Sequence, residues 1–415
     1  MITMLNRRLV EDFFSRKIEF RGVERELKIE ETEKITSIVG PRRAGKTWFL
    51  FYLISGVENG MYVNFEDIAF RKLETEEFFE VLKIFSEMKQ KPEKIFFDEV
   101  QALEGWEILV RSLYDRGYRL CITGSSSKLL AREIATQLRG RTLTYILLPF
   151  SFREFLRAKK VEPDVRIFEE RGALLRHLRE FLWYGGFPEV VLSRGRERIL
   201  SQYFDEIFYK DFVERHRIKS LEFGRFLFEF AFQNFSKEVS LRKIKNFFGR
   251  NVSDRTLYEY SEKIQDTMAV FFLERYSKSI YRRKSWPRKI YICDLGVSSI
   301  LGSGEDTGKR MENAVFLELL RKTNENPRLR FYYWRDLRGR EVDFVVMEGA
   351  RIKQLLQVTY ASARDEVEGR ELKALFKAGR ELNCSNLLVL TWDYEGEEDG
   401  IKFVPLWKWL CYSAT

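Results

Sequence analysis

Gly40-Pro-Arg-Arg-Ala-Gly45-Lys46-Thr47 has the spacing G-x-x-x-x-G-K-[ST], with the apolar run Ile35 to Val39 before it and a helical pattern from Trp48 after it. In that strand–loop–helix setting the spacing is a phosphate-binding loop. Glycines let the backbone approach an anion, successive N–H groups point at phosphate oxygens, and the helix N-terminus adds partial positive charge. The nucleotide-binding stretch is then Gly40, Pro41, Arg42, Arg43, Ala44, Gly45, Lys46, Thr47 and Trp48. In such a loop the Lys46 side chain reaches the β- and γ-phosphates and the Thr47 hydroxyl takes a Mg²⁺ position.

The second chemical signature is Lys94-Ile-Phe-Phe-Asp98-Glu99-Val-Gln101, an apolar strand ending in two carboxylates. Ligands bind at the C-terminal edge of strands in open parallel sheets. Asp98 is predicted to hold Mg²⁺ with Thr47, and Glu99 to orient and polarise the attacking water. Arg119 to Gly124 reads as a further strand, ending in Ser125-Ser-Ser127. Ser125 either senses the γ-phosphate or caps the next helix, since serine favours such junctions. Arg139 and Arg141 frame a glycine before the strand Thr142 to Leu148. Each is a candidate arginine finger for a neighbouring subunit's nucleotide, or a surface turn residue.

To position these groups the first 150 residues must form a parallel sheet with crossover helices. Met61 to Phe65 reads as a strand; Phe78, Val81, Leu82 and Phe85 share one face of a helix that Pro92 ends. Residues 1 to about 33 read as a helix and a polar hairpin leading into the first strand.

Gly40 to Thr47, Phe97-Asp98-Glu99, Thr123-Gly-Ser-Ser126, Leu138-Arg-Gly-Arg141 and Pro149-Phe-Ser-Phe-Arg-Glu-Phe155 together resemble the archaeal and bacterial AAA+-type P-loop ATPases. More narrowly, they resemble members carrying a C-terminal domain of the restriction-endonuclease-like fold. The resemblance implies a doubly wound α/β core of the ASCE/AAA+ type, ATP as the nucleotide, and a catalytic Glu beside the Mg²⁺-binding Asp. It spans the whole chain and is more specific in the first half. Gly185-Gly-Phe-Pro188 is similar to an element in that family's helical lid, and also suits a packed turn between helices.

The chain has 415 residues, enough for two to four domains. The expected division is an ATPase core (1–150), a helical lid (151–220), a winged helix (221–300) and a restriction-endonuclease-like domain (301–415). There is no apolar run of about 18 residues, and the N-terminus is charged too early for a signal peptide. With four scattered cysteines, these features point to a reduced, cytoplasmic protein. Only two histidines are present, which argues against a histidine-based metal site or a Ser-His-Asp triad.

The net charge is +9, and residues 236–289 carry 14 Lys and Arg against 6 Asp and Glu, so nearly all the excess sits there. Concentrated basic charge is an electrostatic footprint for nucleic acid. This segment reads as helix, short glycine turn, helix, then two strands around the basic tip Ser279 to Arg288, a helix-turn-helix with a wing. DNA contacts are expected from Arg255, Lys263, Arg282, Arg283 and Lys284; Glu259 and Glu262 oppose tight binding. The alternative is a protein–protein or structural module.

From Lys309 onward the predicted order is α-β-β-β-α-β, similar to the restriction-endonuclease-like fold. That resemblance implies an acid on the first helix, an Asp on the second strand and an acid-x-Lys on the third. Glu318 and Asp343 match, but Gln357 replaces the acid and Thr359 the lysine, so the nuclease site reads as vestigial. An amide is a poorer Mg²⁺ ligand than a carboxylate, and threonine supplies no charge. The functional expectation is an ATP-hydrolysing enzyme coupled to DNA binding or processing, acting as a homo-oligomer if an arginine works in trans. The alternatives are a nucleotide-switched scaffold for a protein partner and an ATP-regulated DNA nuclease.

Overall fold

Apolar runs too short for helices and flanked by polar turns build the first sheet. β1 (Ile35–Val39), β2 (Gly60–Asn64), β3 (Lys94–Asp98), β4 (Arg119–Gly124) and β5 (Thr142–Ile146) run parallel in the order β2-β3-β4-β1-β5. β1 is buried along its length and β3 from Ile95 onward, the pattern of strands covered on both faces. Helices Lys46–Ser55, Phe78–Lys89 and Trp106–Asp115 make the crossovers. Phe78, Val81, Leu82 and Phe85 are buried on one helix face, as the spacing predicts. After the helix Arg7–Ser15, residues 16–34 contain no strand, so the expected polar hairpin does not form.

The computed structural model describes residues 6–125, 140–162, 168–248, 252–302 and 304–412. The chain divides into two compact units, Met1–Leu147 and Leu148–Thr415. Among the described residues no helix is long and apolar enough to cross a membrane.

The second unit begins with helices Phe152–Ala158, Phe168–Tyr184, Pro188–Leu192 and Arg196–Glu206, the last continuing into a π-helical stretch, Ile207–Glu214. Helices Leu221–Gln233, Leu241–Phe248 and Asp254–Asp266 follow, with Ser253 capping the last by accepting the Thr256 N–H. β6 (Glu238–Val239), β7 (Val270–Leu273) and β8 (Arg288–Ile292) form an antiparallel sheet in the order β6-β8-β7. The basic segment between β7 and β8 differs from the expected loop. It contains the helix Ile280–Ser285, capped by Ser279. Tyr-Arg-Arg-Lys holds no glycine or proline, and long basic side chains favour helix.

Helix Thr307–Glu325 leads into β9 (Leu329–Arg335), β10 (Glu341–Glu348) and β11 (Arg351–Val358), an antiparallel meander. Helix Gly369–Leu382 then crosses to β12 (Leu387–Thr391), parallel to β11. β13 (Gly396–Glu398) and β14 (Ile401–Pro405) complete a six-stranded sheet ordered β13-β14-β12-β11-β10-β9. Val342, Val345, Leu355, Leu375, Val389 and Phe403 form its core.

Asp294, at the start of helix Leu295–Ile300, ties this unit together. Its carboxylate accepts the N–H groups of Gly186 at 2.6 Å, Phe187 at 3.1 Å and Gly296 at 2.8 Å. Gly185 has φ +76°, and a Cβ there would lie 1.9 Å from Asp294, while one at Gly186 would lie 2.4 Å from the Phe150 carbonyl oxygen, so each position requires glycine. Burial pushes the Asp294 carboxyl up to about 7, although those three N–H groups pull it down. The folded value is raised, so its contribution to stability is present below the unfolded value of about 4 and is lost as pH rises through about 7. Unfolding free energy measured in urea at a series of pH values is expected to carry a component that falls across that window. Asp294→Asn should reduce the slope by up to about one proton per molecule.

Candidate nucleotide site

β1 delivers the chain to Gly40 against the end of β5. A Cβ at Gly40 would lie 2.0 Å from the Leu147 carbonyl oxygen, so only glycine fits. The loop then turns through left-handed conformations at Arg43 (φ 68°) and Gly45 (φ 93°), and helix Lys46–Ser55 begins. Lys46 is buried; its Nζ donates to the carbonyls of Gly40 at 3.1 Å and Pro41 at 3.2 Å and lies 3.7 Å from Glu99 Oε1. Arg25 Nη1 donates to the Ala44 carbonyl at 2.9 Å, bracing the loop from the N-terminal segment. Pro41 and Ala44 are buried, Arg42 is half-buried and Arg43 exposed. Trp48 is 47% exposed, with its ring edge-to-face on Phe51.

β3 brings Asp98 and Glu99 to the same edge of the sheet. Asp98 is wholly buried and accepts three hydroxyl hydrogen bonds: from Thr47 at 2.7 Å, Tyr62 at 3.0 Å and Thr123 at 2.5 Å. Thr123 stands on β4, which lies between β1 and β3. Its oxygen also accepts the Glu99 N–H at 3.1 Å, so its single hydrogen is directed at Asp98. Burial first, and the adjacent Glu99 second, push the Asp98 carboxyl above its ordinary value. Glu99 has φ 49°, which turns its side chain out of the strand direction towards Lys46. Gln101 Nε2 holds Glu99 Oε2 at 2.5 Å and lies 3.5 Å from the buried Ser125 hydroxyl.

The residues present fit Mg²⁺ and a triphosphate. A hydroxyl and a carboxylate meet at the start of the loop helix, and of the adjacent acids Asp98 and Glu99 the latter lies beside the Lys46 ammonium. The excess negative charge is the kind a divalent cation relieves. Thr47, Asp98, Glu99 and Lys46 thus converge as the spacing predicts. Thr123, Tyr62, Gln101 and Arg25 also belong here, although the motif does not single them out. A threonine inside an otherwise apolar run, Leu120-Cys-Ile-Thr123, was the available signal.

The other sequence candidates are distributed differently. Arg139 lies outside the described residues. Arg141 precedes β5, whose first residue pairs with Ile35, so it sits at the edge of the sheet opposite the loop. It is ion-paired with Asp115 at 3.2 Å and lies over the Tyr114 ring. In the second unit Arg255, Arg282 and Lys284 are exposed. Lys263 instead donates to Glu259 at 2.5 Å and to the His216 carbonyl, and Arg283 donates to the Tyr332 hydroxyl at 2.7 Å. Glu318 does not share a site with Asp343. It is paired with Arg153 at 2.6 Å and Arg321 at 3.4 Å. Glu312, nearly two turns earlier on the same helix, meets Asp343 through Lys289. Gln357 Oε1 accepts the Asp343 N–H at 3.3 Å.

A buried phosphate loop beside an acidic pair on a parallel sheet defines a P-loop ATPase-type domain. A family model described as an AAA domain matches residues 32–156, and two models each described as a domain of unknown function match residues 175–307 and 307–409. An uncharacterized protein of Methanocaldococcus jannaschii is 38% identical over 399 residues, covering 91% of this chain and 88% of that protein. An uncharacterized protein of Haemophilus influenzae is 30% identical over 408 residues, covering 92% of this chain and 96% of its own length. The chain belongs to the family these archaeal and bacterial proteins represent, an AAA domain continued by two domains of unknown function. Among solved structures, the Walker-type ATPase PabY2304 of Pyrococcus abyssi aligns with a TM-score of 0.42 and 16% identity, over 72% of this chain and 96% of that one.

Thr123→Val should strand the Glu99 N–H and remove one of the three donors on Asp98. A loss of about 1–3 kcal/mol in unfolding free energy is expected, read by chemical denaturation.

Proposed function

We propose that this protein binds ATP with Mg²⁺ at residues 40–47 and hydrolyses it. The observation that carries the reading is the convergence of Thr47 on Asp98 at 2.7 Å and of Lys46 on Glu99 at 3.7 Å. Loop N–H groups and the Lys46 ammonium would hold the β- and γ-phosphates in line. Thr47 and Asp98 would hold Mg²⁺, which when bound neutralises charge on the phosphoryl oxygens. Glu99, steadied by Gln101, would accept a hydrogen bond from the attacking water and polarise it. Insertion of β4 between β1 and β3 is consistent with the ASCE/AAA+ type of core.

In the second unit, the helix pair Leu241–Phe248 and Asp254–Asp266 with the β7–β8 hairpin supports a winged-helix reading of residues 221–300. Helices between 151 and 220 support a lid. Helix Thr307–Glu325 with the β9–β12 sheet supports a restriction-endonuclease-like reading of residues 301–415. The exposed Arg255, Arg282 and Lys284 favour coupling of turnover to DNA. The internal partners of Lys263 and Arg283 favour the second reading, a nucleotide-switched scaffold for a protein partner.

Lys46→Ala is expected to abolish nucleotide binding. Glu99→Gln is expected to keep binding while turnover falls by about 10²–10⁴-fold. ATP turnover measured with a panel of single-stranded, duplex and branched DNA separates the two readings. DNA coupling requires stimulation that weakens as salt rises, whereas turnover indifferent to every DNA supports the scaffold.

A further inference from the structure

The six-stranded sheet and its first helix converge on three carboxylates. Glu312 comes from helix Thr307–Glu325, while Glu341 and Asp343 lie two apart on β10 and so share a face. Between them is a side chain from outside this sheet, Lys289 of β8. Its Nζ lies 2.8 Å from Glu312 Oε1, 2.6 Å from Glu341 Oε1 and 2.9 Å from Asp343 Oδ1. The contacts to Glu312 and Asp343 are hydrogen bonds and that to Glu341 is an ion pair, and Lys289 is 2% exposed. We propose that the Lys289 ammonium is the resident cation of this carboxylate socket, so that the module takes up no metal there and is bound to β8 instead.

The surroundings support an ammonium rather than a metal. The oxygens stand 2.6–2.9 Å from the nitrogen, hydrogen-bond lengths, whereas Mg²⁺ draws its ligands to about 2.0–2.1 Å in a near-ideal octahedron. Tyr291, two residues along β8, donates its hydroxyl to Glu312 at 2.6 Å. The Val358 N–H donates to Asp343 Oδ2 at 2.9 Å, so the outer oxygen of that carboxylate is also satisfied. On the third strand the amide Gln357 caps the Asp343 backbone and offers the socket no charge. Among the described residues no group of three or more His, Cys, Asp or Glu side chains is disposed to hold a metal ion. Burial opposes a charge on Lys289, but Asp343 and Glu312 outweigh it and hold the amine well above its ordinary value. Lys289 falls within the first matched domain of unknown function and the carboxylates within the second, so the socket is also a joint between them.

Mn²⁺ uptake, measured by electron paramagnetic resonance without nucleotide, tests this on the full chain. Wild type and Asp343→Asn should bind Mn²⁺ with the same stoichiometry. Lys289→Met should melt below wild type, because Glu312 and Asp343 lose their buried partner, and should bind no more Mn²⁺ than wild type, since the three acids are not disposed to hold a metal ion. Mn²⁺ binding to wild type that Asp343→Asn abolishes would overturn the proposal, whether or not Lys289→Met folds. So would a folded Lys289→Met chain as stable as wild type. Neither arm involves ATP, so the outcome stands apart from the assignment of the nucleotide site.

Discussion

A carboxylate sealed inside a parallel sheet must be supplied with donors, and the first unit is arranged around that requirement at Asp98. Its three donors come from three elements: Thr47 at the start of the loop helix, Tyr62 on β2 and Thr123 on β4. Only a strand order that inserts β4 between β1 and β3 brings Thr123 within reach while leaving Asp98 near the phosphate loop. All three donors are neutral. They hydrogen-bond the carboxylate without offsetting its charge, which burial and the neighbouring Glu99 make costly and a bound cation would relieve.

The second unit meets the same difficulty with the opposite solution. Glu312, Glu341 and Asp343 are gathered around a full positive charge on Lys289. An ion cluster of this kind gives little net stability over an apolar core but is severe to break, because removing one partner strands the buried groups Glu312 and Asp343. It specifies one arrangement of β8 against β10 and helix Thr307–Glu325 more than it strengthens the fold. Asp294 does comparable work nearby, fixing the turn at Gly185 and Gly186 through backbone N–H groups rather than a charge.

The parts of the site visible in the sequence are those written in consecutive residues. Gly40 to Thr47 and Asp98-Glu99 declare themselves because loop, strand end and helix start are contiguous there. Thr123, Tyr62 and Gln101 depend on strand order and on a left-handed turn at Glu99, neither of which periodicity encodes. Arg141 could have been located from chain order alone. A residue that precedes a strand in an all-parallel sheet lies at the edge away from the ligand. On helix Thr307–Glu325 both Glu312 and Glu318 are buried acids, and helical spacing cannot say which face meets β10. The deciding residue, Lys289, belongs to a different sheet. The strand pattern of the second half was legible in its apolar runs; the helix at Ile280–Ser285 was not, because a basic, aromatic segment between two strands reads equally well as a loop.

The Gly40 backbone rests directly on the Leu147 carbonyl, and the Leu147 N–H is bonded to the carbonyl of Val39 at 2.7 Å. The start of the loop and the end of β5 are thus wedged together with no side chain between them to yield. Close-packed contacts pass displacement on instead of absorbing it. Leu147 is also the last residue of the first unit. Any side chain at position 40 would therefore have to displace the chain at its exit from the sheet, so the join is sealed by a missing methyl group.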